Sequence, residues 1–167
     1  MKRRLVLIVI FAVLLLSNQS LASFQESRWQ IMDLLAYPDK IEKGFKSYSV
    51  SEASWEKNDL ADGIPRWLAQ PAKLYNYELV GSPIKSAAMT GIITDDSKQV
   101  NQLKIRAILL MRAVGMSREQ AEENFKVLMD SAKKDKDQEY YIDAERIRTK
   151  MTVFSSISML MLTMSKV

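Results

Sequence analysis

Leu5 to Leu16 is an unbroken run of apolar residues placed directly after the cations Lys2, Arg3 and Arg4. This is the charged region and hydrophobic region of a secretory signal. A membrane-spanning helix needs ~20 apolar residues, and Ser17, Asn18, Gln19 and Ser20 break the run before that. Ser20-Leu21-Ala22 then offers small residues at the two positions a signal peptidase reads. Residues 1–22 are therefore expected to be cleaved, leaving 23–167 as one domain in the periplasm, or secreted. The chain contains no cysteine. An exported body without disulfides has to be held together by packing alone, and about 145 residues suffice for a real core.

Export also changes the meaning of the charge. The full chain carries 24 basic and 20 acidic residues and a pI near 9.2. Removing Lys2, Arg3 and Arg4 leaves 21 basic residues against the same 20 acidic ones. Most of the basicity is thus targeting, and nucleic acid is not expected as a partner. No stable membrane span is expected after cleavage. Met151 to Ser165 is uncharged, but at ~1.5 Å per residue a helix of that length is shorter than the ~30 Å hydrocarbon core.

Helical spacing dominates the mature chain. Trp29, Met32, Leu35 and Ala36 give a helix over Phe24–Ala36, which Pro38 stops. Asp39 caps a short helix carrying Ile41 and Phe45. "SVSE", Ser49 to Glu52, has the form of a capping box for a helix through Trp55, and Pro65 suits the first turn of another containing Trp67. Residues 74–93 stay open between two forms. Tyr75, Tyr77 and Leu79 alternate as in a β-hairpin, whereas Ser82 and Pro83 could begin a helix, the form preferred here. Further on, Asp95, Asp96 and Ser97 precede an apolar stripe from Val100 to Val114. Gly115 ends that helix, and Ser117 with Gln120 caps a second, Arg118 to Lys133. Tyr141, Ala144, Ile147, Met151, Phe154, Met161 and Met164 complete a last, central helix. The expected fold is mostly α: a single-domain, irregular helical bundle with C-terminal αα-hairpins and, at most, a small β-hairpin around 74–93.

The chemical inventory is narrow. The chain has neither histidine nor cysteine, which removes the commonest general base, thiol nucleophiles and the usual zinc ligands. No catalytic, metal-binding or cofactor-binding residue is assigned. Ser-x-x-Lys occurs at Ser82–Lys85, Ser54–Lys57 and Ser131–Lys134, so the pattern is not selective, and the motifs that accompany it in serine–lysine enzymes are absent. Asp59 with Asp62 and Asp95 with Asp96 could be proposed as carboxylate pairs, but acids in such positions cap helices.

Aromatic residues are the stronger signal. Nine of the thirteen in the mature chain lie between Phe24 and Tyr77, and tryptophan and tyrosine are enriched at binding hot spots. Trp29 and Trp55 are read as core. Trp67, in a short proline-bounded segment, and Tyr75 and Tyr77 are the candidate partner-binding residues. The expectation is an exported, non-catalytic helical protein that binds a protein or peptide partner in the bacterial envelope, as an inhibitor or immunity protein, a chaperone or an accessory component. The rivals are a cell-wall-active hydrolase using carboxylate or serine chemistry, and a carrier of an apolar ligand.

Overall fold

The computed structural model describes Phe24, residues 27–144 and residues 146–167. The signal region, with the expected cleavage after Ala22, lies outside the described residues.

The all-α bundle is overturned. The body is a seven-stranded antiparallel sheet with helices packed on one face. Helix α1 (Arg28–Ala36) and three short 3₁₀ turns come first. A meander follows: β1 (Trp55–Lys57), β2 (Arg66–Ala72), β3 (Tyr75–Gly81) and β4 (Ile84–Ile92). A helical hairpin, α2 (Ser97–Ala113) and α3 (Arg118–Lys134), carries the chain across the sheet to a second meander of β5 (Tyr140–Ala144), β6 (Ile147–Phe154) and β7 (Met159–Lys166). The spatial order is β1-β2-β3-β4-β7-β6-β5. The second meander therefore enters at the far edge and works inward, until β7 closes against β4.

Period-two patterning explains why these segments are strands. One register row crosses all seven: Trp55, Ala69, Tyr77, Met89, Leu162, Met151 and Tyr140 lie side by side. Five of the seven, all but Trp55 and Tyr140, are at most 3 % exposed. A parallel row contains Trp67, Leu79, Ala87, Met164, Thr149 and Ile142. Side chains on alternate positions point to the opposite face, so the rows that contain Glu78 and Asn76 look away from the helices. In β6, the β-branched residues Ile147, Thr149 and Val153 add to the strand preference.

The expected C-terminal helix fails for a specific reason. Met159-Leu160-Met161-Leu162 alternates inward and outward, but both sets are apolar, so the alternation is hidden. Ser155 to Ser158, through which that helix was drawn, is the β6–β7 turn. The expected helix after Ser82 also gives way. Ser82–Pro83 is a cis peptide in the β3–β4 turn, with Gly81 at φ +101°. The alternation of Tyr75, Tyr77 and Leu79 was the better signal. The segments around Trp55 and Trp67 likewise become strands β1 and β2, after a single 3₁₀ turn at Glu52–Ser54.

The helical hairpin forms as its local signals dictate. The Asp96 carboxylate accepts from the Lys98 amide at 2.9 Å, and the Ser117 hydroxyl accepts from the Gln120 amide at 3.2 Å. Gly115, at φ +110°, turns the chain between the two helices, where only glycine is free of steric cost. α2 lies against β4 and α3 against β5 and β6, while α1 packs against α2. Enclosed on several sides, α2 buries Arg106 to Met111 without a break. Gly91 permits this close approach. A Cβ there would collide with the Leu103 side chain and stand 3.0 Å from the Tyr75 ring.

Candidate functional site

The two tyrosines nominated from sequence lie beneath α2. Tyr77 is fully buried and its hydroxyl donates to the Arg106 carbonyl at 3.2 Å. Tyr75, 3 % exposed, donates to the Gln99 carbonyl at 2.8 Å. Both phenols thus pin α2 to β3 through backbone acceptors. Burial pushes the Tyr77 phenol up to about 12, against the opposing pull of the Arg106 charge. It also raises Tyr75.

Trp67 is on the helix-covered face but near its margin, and is partly accessible. Its ring lies 5.4 Å from that of Trp29, tilted by 59°. The Arg28 guanidinium stands 4.8 Å from the Trp29 ring and 4.7 Å from the Trp67 ring. Such cation–π contacts are worth roughly 0.5–2 kcal/mol according to exposure. Here they fasten α1 to the sheet margin. Trp55 is in the core, as expected; Trp29, expected there too, is 48 % exposed.

The uncovered face of the sheet holds what the sequence reading missed. Over β1–β4 it forms a depression of about 600 Å³ lined by Ser54, Glu56, Leu68, Gln70, Asn76, Glu78, Ala88 and Thr90. The register places Glu56, Leu68, Glu78 and Ala88 in one row across four strands. The row continues through Thr163 and Lys150, which line a second hollow of about 210 Å³ with Glu139, Thr152, Met161 and Ser165. The small side chains of Ala88, Thr90, Thr163 and Ser165 keep the middle of this face low. Arg66 approaches Glu78 at 3.8 Å, and Lys150 pairs with Glu139 at 3.2 Å. The one sign of this surface in the sequence is Asn76, Glu78 and Val80 interleaved with Tyr75, Tyr77 and Leu79.

Several residues of the motifs weighed as catalytic have local partners. The Ser54 hydroxyl bonds that of Ser51 at 2.8 Å, while Lys57 pairs with Asp59 at 2.8 Å. Asp62 accepts from the Ile64 amide in a turn, and Asp96 caps α2. Among the described residues no group of three acidic residues is placed to hold a metal ion, and no helix is long and apolar enough to cross a membrane. No family model matches the chain, and no curated protein or solved structure was found to be similar to it.

Proposed function

We propose that this is an exported, non-catalytic protein whose uncovered sheet face receives a protein or peptide partner in the bacterial envelope. One observation carries the reading: the two faces of the sheet are unlike. Helices seal one. The other is left open over a shallow depression lined by amides, hydroxyls, two glutamates and a leucine. A mixed lining of this kind suits a polypeptide, which offers backbone donors and acceptors as well as side chains. The signal-like leader supports a partner in the envelope, as an inhibited toxin, a chaperone client or a component of a larger assembly.

The test is site-specific photo-crosslinking in envelope extract, with benzoylphenylalanine at Thr90 in the depression or at Glu123 on the outside of α3. The reading expects a discrete protein adduct from position 90, lost when Ala88→Arg fills the depression, and none from position 123. Identical adducts from both positions, or none from either, would sink it.

A second reading has its own observation. Glu56 and Glu78 line the same depression, two strands apart. Strand spacing of ~4.8 Å puts their backbones about 9.6 Å apart, within reach of the carboxylate separations used by glycosidases. Release of soluble glycan from cell-wall material by the unmodified protein, abolished by both Glu56→Gln and Glu78→Gln, would favour a hydrolase over a binder.

A further inference from the structure

The two outer strands of the sheet are treated differently. β1 is three residues long, and Glu56 and Lys57 on it are exposed. Shortness and charge are the usual means of keeping an edge from pairing. β5 is five residues, Tyr-Tyr-Ile-Asp-Ala, paired to β6 from Tyr140↔Met151 to Ala144↔Ile147 without a bulge. It contains neither lysine nor proline, and among the described residues no strand lies beyond it.

An exposed aromatic side chain stands beside this edge. Tyr141, on the open face, is 61 % exposed, and Val127 of α3 is 44 % exposed. α3 lies over β5 and β6.

We infer that this edge pairs with the same edge of a second copy, antiparallel about a two-fold axis through Ile142, giving one continuous fourteen-stranded sheet. Two features select a copy of the same chain. First, a two-fold axis normal to the sheet keeps each side chain on its own face, so opposed residues must be an even number of positions apart. Full overlap of the five-residue strand then sets Ile142 opposite Ile142, Tyr140 opposite Ala144 and Tyr141 opposite Asp143, matching large with small and aromatic with acid. Second, the charges complement one another. Arg148 holds Asp143 by two bonds of 2.7 Å, and its guanidinium lies 4.9 Å from the Tyr141 ring. In the pair, each open-face row runs Lys150, Tyr141, then Asp143 and Arg148 of the copy. Each acid stays neutralised by its own Arg148 and faces the phenol of the copy's Tyr141 instead of its like. This interface is separate from the depression over β1–β4 and stands or falls independently of it.

The experiment uses the exported protein. Light scattering on a sizing column at ~100 μM, well above a ~1 μM dissociation constant, should give twice the chain mass. Tyr141→Lys, an exposed change that leaves the circular dichroism spectrum unaltered, should give the mass of one chain. Because the chain has no cysteine of its own, Ile142→Cys is a clean reporter. Residues directly opposed across an antiparallel pair are close enough to bridge, so oxidation should link two chains through position 142, whereas Ile157→Cys in the β6–β7 turn should stay single. A one-chain mass for the unmodified protein, a Tyr141→Lys variant that remains double, or a double-mass Ile142→Cys protein that does not crosslink would each overturn the proposed pairing.

Discussion

The two faces of one sheet have been given different tasks. Along β7, Leu160, Leu162 and Met164 are fully buried beneath the helical hairpin, while Met161, Thr163 and Ser165 between them reach the open side. The covered face is mostly apolar, and the Tyr75 and Tyr77 phenols on it donate to backbone carbonyls of α2. Stability resides there. The open face has small side chains and cross-strand charge pairs such as Arg66 with Glu78 and Arg148 with Asp143. An antiparallel sheet tolerates this asymmetry because its ladder bonds are satisfied whichever face is wet. A chain without cysteine can therefore leave half its sheet uncovered, provided that the other half is packed densely.

The contrast can be broken most sharply by neighbouring residues of β7. Leu162→Ala, on the covered face, is expected to lower unfolding free energy by ~2–5 kcal/mol. Thr163→Ala, one residue on, should change it by less than ~0.5 kcal/mol. Denaturant titration of the two variants measures both; equal losses would remove the distinction between the faces.

Alkaline titration sharpens it next. The Tyr77 phenol is raised to about 12 by burial, above its ordinary value near 10. Between those values the unfolded chain loses a proton that the native state keeps. The contribution is complete below pH 10 and is lost as pH rises toward 12, on the order of 2–3 kcal/mol. Stability measured against pH should fall over that interval in the unmodified protein and fall less in Tyr77→Phe. The same slope in both would mean that this phenol is not sealed.

A further substitution tests how closely the helices sit. Gly91→Ala sets a methyl group against Leu103 and the Tyr75 ring. It should cost ~1–3 kcal/mol by overpacking, and combining it with Leu103→Ala should recover part of the loss. A thermal melt of Gly91→Ala that matched the parent would show that α2 has room to move.

Much of the helical part was legible in the sequence, because its signals are local. Asp96, Gly115, Ser117 and Gln120 act within one turn of their own positions, and α2 and α3 begin and end where those residues require. The end of α1 was readable for the same reason, with Pro38 closing it, although the helix begins at Arg28 rather than at Phe24. The strands were legible only where the covered and open faces differ in polarity, as in Tyr75 to Val80. β7 was not, since methionine and leucine occupy both of its faces. The candidate site was less visible still. Glu56, Leu68 and Glu78 are 22 positions apart from first to last and converge only through register, and nothing in the local pattern distinguishes them from ordinary solvated residues. Trp67 was nominated for its proline-bounded setting, but its partners, Arg28 and Trp29, come from α1.

By itself, the sequence determined the absence of thiol and imidazole chemistry and the helical corner at Gly115. Each depends on composition or on interactions spanning a few residues. Only the tertiary structure decided that β7 returns to pair with β4, more than sixty positions earlier in the chain, and thereby which side of every strand is covered. The physical reason is that a strand satisfies its backbone on a distant neighbour rather than within itself. Its state, and the surface it leaves open, therefore belong to the whole sheet and not to the segment.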